Sequence, residues 1–129
     1  MTIYLTLEDV LEIHRQVIAE TGGSASIRDV NLLDAAIHRP QASFAGLDLY
    51  PSLAEKAAAL LHSLIMNHPF VDGNKRTAFT AADAFLRLNG WKFAAGEDDL
   101  FEFVIAIAEK QMPFEQIAPW IEAHLAEVS

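Results

Sequence analysis

Apolar residues recur at helical spacing along most of the chain, and turn-forming residues separate these stretches. Thr6 can cap a first helix in which Val10 and Val17 share one face, and a Gly-Gly pair ends it. Asp29 can cap a second helix. That helix ends before Pro40, because a residue that precedes proline is pushed out of the α region. Both stretches therefore predict amphipathic helices.

Two longer apolar stretches predict the centre of the fold. The sequence Ser-Leu-Ala-Glu at 52–55 forms a capping box, and the helix that it starts runs to about Asn67, since Pro69 forbids simple continuation. The next helix starts near 74–77 and ends at the turn-forming pair Asn89-Gly90. Apolar residues cover much of the circumference of the first of these helices, so we expect it to be central.

The last third of the chain has weaker patterns. Residues 91–93 are predicted to be a short extended segment, and Asp98 or Asp99 is predicted to cap a further apolar helix. Pro119 is predicted to divide the tail, 113–125, into two short helical pieces.

The length and composition fit one globular domain. With the patterns above they predict an all-α fold: a compact helical bundle, a single domain over residues 1–129, with one candidate active-site loop between its two central helices. The hydrophobic fraction, 52%, is too high for a disordered chain. The absence of cysteine excludes disulfides, Cys-based zinc sites, iron–sulfur clusters and a thiol nucleophile.

The charge balance limits the kinds of partner. A formal net charge of −9 argues against nucleic acid or an anionic membrane, because both require a concentrated positive surface. The longest apolar runs fall well short of the ~18–20 residues that span a membrane, and the N-terminal residues lack the basic region of a signal peptide. We therefore expect a cytoplasmic protein, in which a small cationic pocket can still lie inside an acidic molecule.

The loop between the central helices, HPFVDGNKRT at 68–77, concentrates the candidate chemistry. Gly73 and Asn74 are the residue types that enter left-handed conformations most cheaply, so their N–H groups can form an anion-binding nest at a helix N-terminus. Lys75 and Arg76 add positive charge where a polyphosphate would lie. The pattern indicates a nucleotide-phosphate site.

Two more side chains of the loop suit phosphoryl chemistry. Asp72 is the type of carboxylate that holds Mg²⁺ together with phosphate oxygens. His68 could take a proton from an incoming hydroxyl, since histidine changes charge near neutral pH. Phe70 is predicted to anchor the loop in the core. The alternative interpretation is that the Asp-Gly-Asn cluster is only a turn and that the histidine only caps a helix.

The spacing His-x-Phe-x-Asp-Gly-Asn-Lys-Arg resembles the signature of the Fic and death-on-curing superfamily. Fic proteins have H-x-F-x-[D/E]-G-N-G-R-x-x-R, whereas the death-on-curing (Doc) branch has Asn-Lys-Arg, as at 74–76 here. The similarity extends to Gly-Gly at 22–23, Ile-Arg-Asp at 27–29 and Arg-Pro-Gln at 39–41, and Trp120 also fits. The resemblance therefore covers most of the chain.

This resemblance implies a toxin of a toxin–antitoxin pair. Proteins of the Doc branch transfer the γ-phosphate of ATP to a threonine of elongation factor Tu, with Mg²⁺, and so stop translation. Carried over by position, His68 would be the general base and Asp72 would bind Mg²⁺. The phosphates would be held by Gly73, Asn74, Lys75 and Arg76.

Two departures from the Fic signature favour transfer of phosphate over transfer of AMP. Lys75 stands where Fic proteins have a glycine that lets backbone approach the polyphosphate, so a nucleotide bound as in Fic should be shifted or reversed. Phe79 stands where Fic proteins have their second arginine, which removes one phosphate-binding cation.

Regulation is expected from a separate protein. The inhibitory helix of many Fic proteins, [S/T]-x-x-x-E-[G/N], has no counterpart in the sequence. We therefore expect an antitoxin whose amphipathic helix lies in a groove of this protein. The irregular segment 41–51 is either a packed connector or a docking flap, and its apolar Phe44 and Leu47 are candidates for contact with the antitoxin or the target.

Three functions stay open at this point: a protein phosphotransferase, a Fic-type adenylyltransferase, and a catalytically silent domain that binds nucleotide or a partner. A metal site formed by His62, His68 and Asp72 is conceivable, but the apolar helix around His62 favours a core or interface histidine. The remaining histidines are interpreted as surface residues: His14, His38 and His124.

Overall fold

The computed structural model describes residues 1–128, in which six α-helices make up most of the fold. The helices are α1 (Leu7–Thr21), α2 (Val30–His38), α3 (Leu53–Asn67), α4 (Asn74–Leu88), α5 (Glu97–Ala108) and α6 (Phe114–Ala123). Four short strands form two antiparallel pairs: β1 (Ser43–Phe44) with β2 (Leu47–Asp48), and β3 (Trp91–Phe93) with β4 (Leu125–Glu127). The prediction of an all-α fold is therefore right for most of the chain and wrong for the four short strands.

Local capping interactions set the helix starts, as predicted. The Thr6 hydroxyl accepts the Asp9 N–H at 3.1 Å, and the Asp9 carboxylate accepts the Thr6 N–H at 2.9 Å. Ser52 and Glu55 form the same reciprocal pair at the start of α3. Asp29 caps α2. Each cap satisfies N–H groups that have no partner inside the helix, so the sequence alone locates these starts.

Helix α3 lies at the centre of the core and packs against α2, α4 and α6. Both central helices bury small residues, which allow their backbones to approach closely. The buried alanines are Ala54, Ala57, Ala58 and Ala59 on α3, and Ala78, Ala81 and Ala82 on α4. The central position predicted for α3 is confirmed.

Two expectations about helix ends are wrong. Helix α5 starts at Glu97 with Gly96 as its cap, so Asp98 and Asp99 are not caps. They lie inside the first turn, where carboxylates stabilise a helix through its dipole. Helix α6 continues through Pro119 as a single helix, because fully buried isoleucines on both sides hold it against the core.

The strands occupy places where the pattern was weakest. The extended segment predicted at 91–93 is strand β3, and it pairs with β4, of which only Leu125 lies in the tail that was predicted to be helical. Segment 41–51 forms a hairpin rather than an irregular connector, and it exposes Phe44 and Leu47 as expected. In residues 1–128 no helix is long and apolar enough to cross a membrane.

Candidate active site

The loop between α3 and α4 brings the predicted site residues to one exposed edge of the bundle. His68 is the C-cap of α3 and has a left-handed conformation, with φ 46° and ψ 56°, which is uncommon for a residue other than glycine. Gly73, the N-cap of α4, is also left-handed, with φ 77°. Between these two turns, Phe70 is buried, whereas His68 and Asp72 are exposed. The middle of the loop is thus anchored in the core by Phe70, whereas the side chains near its two ends are exposed to solvent.

Arg28 supports the backbone at the first turn. Its Nε donates to the His68 carbonyl oxygen at 2.6 Å, and its Nη2 donates to the Asn67 carbonyl oxygen at 2.6 Å. These carbonyls lie at the end of α3, where the last carbonyls of a helix lack partners within it. In the sequence Arg28 stands out only as part of the resemblance, because its role depends on a contact across 40 positions.

The segment before α2 runs alongside the loop and holds its backbone. Ile27 forms an antiparallel bridge with Phe70, and the Val71 N–H donates to the Ser26 carbonyl oxygen at 3.1 Å. The Arg28 N–H donates to the Pro69 carbonyl oxygen at 2.7 Å. Strand-like pairing therefore fixes the course of the loop between its two left-handed turns.

The Asp72 carboxylate is oriented by the turn that follows α1. Its Oδ2 accepts the Ser24 N–H at 2.7 Å. A Cβ at Gly23 would lie 3.0 Å from both Cβ and Oδ2 of Asp72, so only glycine allows this approach without displacement. In residues 1–128 no cluster of three or more acidic or histidine side chains could enclose a metal ion. A single carboxylate fits Mg²⁺, which is normally held by one or two carboxylates plus substrate phosphates.

Asn74 differs from its predicted conformation. We expected a left-handed pair at Gly73 and Asn74, but Asn74 is the first helical residue of α4. Its side chain holds the loop: Oδ1 accepts the Phe70 N–H at 3.0 Å, and Nδ2 donates to the Phe70 carbonyl oxygen at 2.8 Å. A left-handed residue followed by a right-handed one still turns successive N–H groups to one side, which is the geometry of an anion nest.

Lys75 and Arg76 lie in the first turn of α4 and are exposed. Within residues 1–128 neither forms an ion pair with a carboxylate, whereas Lys56, Arg15 and Arg87 each do. Cations at a helix N-terminus oppose the helix dipole, so this placement is unfavourable without an anion. Both charges are therefore available to a bound phosphate group.

His14 is wrongly predicted as a surface residue. It is 1% exposed and lies beneath the loop, with its ring stacked on Phe70 at a centroid distance of 3.7 Å. Its Nε2 lies 2.8 Å from the Asp72 carbonyl oxygen. The sequence does contain an indication that His14 is buried. His14 follows Val10 by four residues and precedes Val17 by three, and this spacing places it on the apolar face of α1.

Three other histidines lie away from the loop. His62 is half-buried, and its Nδ1 accepts a hydrogen bond from Arg39 at 2.9 Å, which is compatible with the predicted core or interface histidine. Burial, followed by the charge of Arg39, lowers the pKa of His62. His124 is not a simple surface residue, because its half-buried ring stacks on Trp120. His38 is exposed, as expected.

The mostly helical fold is consistent with what comparison of the sequence finds. The sequence model of the Fic/DOC family matches residues 4–86, which include α1 to α3, the loop and most of α4. The chain therefore belongs to the Fic/DOC family.

Two relatives lie in the Doc branch of that family. The chain is 54% identical over 98 residues to the protein named Toxin Doc of Mycolicibacterium smegmatis, an alignment that covers 76% of this chain and 73% of that protein. It is 34% identical over 87 residues to the protein named Protein kinase doc of Escherichia phage P1, covering 67% of this chain and 68% of the relative. The resemblance to the Doc branch is thereby confirmed.

Proposed function

We propose that this protein is the toxin of a toxin–antitoxin pair and that it acts as an ATP- and Mg²⁺-dependent protein kinase. The coarser part of this statement, a Doc-type toxin that modifies proteins, is supported by the names of both relatives. The finer part is that the γ-phosphate is transferred to a threonine hydroxyl of elongation factor Tu in the cytoplasm. The activity of the toxin would be inhibited by an antitoxin protein, one helix of which occupies a groove of this protein.

The observation that carries the kinase proposal is the position of Lys75. Lys75 is the second residue of α4. Its side chain is exposed and forms no ion pair with a carboxylate in residues 1–128. A glycine at this position would let a polyphosphate lie directly on the backbone. A lysine side chain adds bulk there, and its ammonium group adds a positive charge that can pair with a phosphate oxygen. Phe79, at the place of the second Fic arginine, stacks on Phe93 and supplies no cation. Both features disfavour an AMP-transfer pose.

The proposed reaction needs one proton acceptor and one set of phosphate ligands. As the hydroxyl oxygen bonds to the γ-phosphorus, the bond from that phosphorus to the bridging oxygen breaks, and ADP leaves. The hydroxyl proton passes to His68, whose exposed imidazole makes no hydrogen bond within residues 1–128. The backbone N–H groups of Gly73 and Asn74 and the cations of Lys75 and Arg76 stabilise charge on the phosphates.

Asp72 is the residue that would hold Mg²⁺, through the carboxylate oxygen that Ser24 leaves unpaired. When bound with ATP, the ion neutralises charge on the phosphate oxygens. The hydrogen bond from Ser24 keeps the carboxylate in one orientation whether or not the ion is present. Asp72 thus contributes a preset ligand rather than one that must be ordered on binding.

The proposal is tested with purified elongation factor Tu and ATP that carries its label on either the α- or the γ-phosphate. Retention of the γ-label on a threonine of the target is expected. Retention of the α-label would replace the kinase by an adenylyltransferase. With neither label retained, and growth unaffected by expression of the wild type, the protein would be a binding domain only.

Matched variants connect the reaction to the loop. His68→Ala and Asp72→Ala are expected to abolish both label transfer and growth arrest, because each removes a group that the reaction needs. Arg15→Met is the control, since Arg15 is exposed and bonds only to Glu12 on its own helix. Equal toxicity of the wild type and both loop variants would contradict the proposed enzymatic mechanism.

A further inference from the structure

His14 has no role in the reaction described above, yet it is buried against the loop that carries the reaction. Its Nε2 lies 2.8 Å from the Asp72 carbonyl oxygen. A carbonyl oxygen can only accept, so Nε2 carries the hydrogen of this bond. The ring stacks on Phe70 with an interplanar angle of 8°, which fixes its orientation. A buried apolar ring would fill this space equally well, so the polar nitrogen requires an explanation.

The bond to His14 fixes the orientation of one peptide plane. Across a trans peptide the C=O of Asp72 and the N–H of Gly73 point in opposite directions, and residues 1–128 contain no cis bond. Because the carbonyl points towards His14 on α1, the Gly73 N–H points away from α1. No hydrogen bond within residues 1–128 uses this N–H. It is the first donor of the nest that precedes α4.

Packing against α1 keeps the same peptide in place. A Cβ at Gly73 would lie 3.1 Å from Ile18 Cδ1 and 3.4 Å from Val17 Cγ1, so the glycine backbone rests directly on the side chains of α1. This contact restricts translation of the loop, but an apolar contact does not by itself select which way the C=O and N–H of the peptide point. A rotation by half a turn would present the Asp72 carbonyl oxygen to a bound anion, which it would repel. The hydrogen bond from His14 is what opposes that rotation.

We propose that His14 is a positioning residue of this enzyme: its Nε2–H holds the Asp72–Gly73 peptide so that the Gly73 N–H donates to a phosphate group of the nucleotide. The inference rests on the proposed function, because it names a nucleotide phosphate as the acceptor. It adds to that function a group on α1 that touches neither substrate nor metal. The same bond also restrains the backbone of Asp72, from which the carboxylate that Ser24 orients extends.

Two substitutions separate the hydrogen bond from the stacking. His14→Phe keeps an aromatic ring against Phe70 and removes the donor. His14→Gln removes the ring and retains an N–H donor at nearly the reach of Nε2. The probe is the Mg²⁺ complex of a non-hydrolysable ATP analogue, measured by its dissociation constant and by the NMR shift of the Gly73 amide. The transfer rate is measured separately, at a temperature at which circular dichroism shows each variant to be folded.

The hydrogen bond, not the ring, is expected to determine binding. In the wild type, NMR should find a proton on Nε2, and the Gly73 amide should shift when the analogue is added. His14→Gln should keep that shift, with a dissociation constant within about threefold of the wild type. His14→Phe should lose it and bind roughly 10-fold or more weakly, the effect of one hydrogen bond to a charged group. The KM for the target protein should change little in either variant.

Three results would overturn the inference. The first is a His14→Phe variant that keeps the Gly73 shift and the wild-type affinity. The second is an equal loss in both variants, which would make His14 a packing residue only. The third is a Gly73 amide that does not respond to the analogue in the wild type. Because these readouts need no catalysis, a donor-dependent Gly73 shift in a protein that transfers no γ-phosphate would sustain the inference and refute the kinase proposal.

Discussion

Replacement of Gly23 by alanine tests the contact that orients the Asp72 carboxylate. An added Cβ would lie 3.0 Å from the Asp72 Cβ and 3.0 Å from its Oδ2. Rotation of the aspartate side chain can move Oδ2 away, but it cannot move the Cβ, whose position the backbone fixes. The loop or the turn must therefore shift by a few tenths of an ångström. Gly22→Ala is the matched control, because a Cβ there would meet nothing within 4 Å.

The two variants share one cost and differ in another. Both glycines have positive φ, +83° and +103°, which strains an L side chain, so alanine costs about 1–3 kcal/mol of folding stability at either position. Only Gly23→Ala also disturbs the 2.7 Å bond from Ser24 to Asp72. Because Asp72 is exposed, solvent screening limits that loss to about 1 kcal/mol. On the proposed function, in which Asp72 holds Mg²⁺, the larger effect is expected on catalysis, because displacement of a ligand by a fraction of an ångström lowers the rate roughly 10-fold.

The assay combines urea unfolding with γ-phosphate transfer measured as a function of Mg²⁺ concentration. Gly22→Ala is expected to lose stability and keep the wild-type Mg²⁺ dependence. Gly23→Ala is expected to need more Mg²⁺ and to react more slowly at saturation. Equal rates in the two variants, when both are folded, would refute the reasoning that Gly23 is required for the orientation of Asp72.

Two further perturbations test one support of the loop, Arg28, and one histidine away from it, His62. Arg28→Met should destabilise the protein by about 1 kcal/mol, since it removes two hydrogen bonds to the end of α3 at an exposed position; urea unfolding measures this. Lowering the pH from 6.5 should decrease the free energy of unfolding, because burial lowers the pKa of His62 in the folded state from its ordinary value of 6.5. In that range the unfolded chain binds the proton more readily than the folded one, so stability is lost as the pH falls through the folded pKa.

Each of these perturbations has its own control. Arg15→Met, which removes an exposed arginine that bonds only to Glu12, should change stability less than Arg28→Met, and an equal change would remove the special role of Arg28. His62→Gln keeps an acceptor for Arg39 but does not titrate, so its stability should fall less between pH 6.5 and pH 5. Parallel stability curves for the wild type and His62→Gln would contradict the predicted contribution of His62.

Features that depend on residues close together in the chain could be predicted from residue order. Capping boxes at Thr6 and Ser52 act over three residues, so the starts of α1 and α3 could be located from residue order alone. The signature at 68–76 was also sufficient to indicate the Doc branch. The same reasoning failed at Pro119, where an intrinsic cost of about 3 kcal/mol is outweighed by burial of the isoleucines around it.

The hydrogen bonds that hold the loop join residues far apart in the chain and could not be predicted in this way. The bond from His14 to Asp72 spans 58 positions, that from Ser24 to Asp72 spans 48, and that from Arg28 to His68 spans 40. These partners meet because α1 and α2 pack against the central helices, and no local preference of the chain specifies that meeting. The sequence thus names the groups of the candidate site, while packing between distant segments sets the direction in which its carboxylate and its backbone N–H groups point.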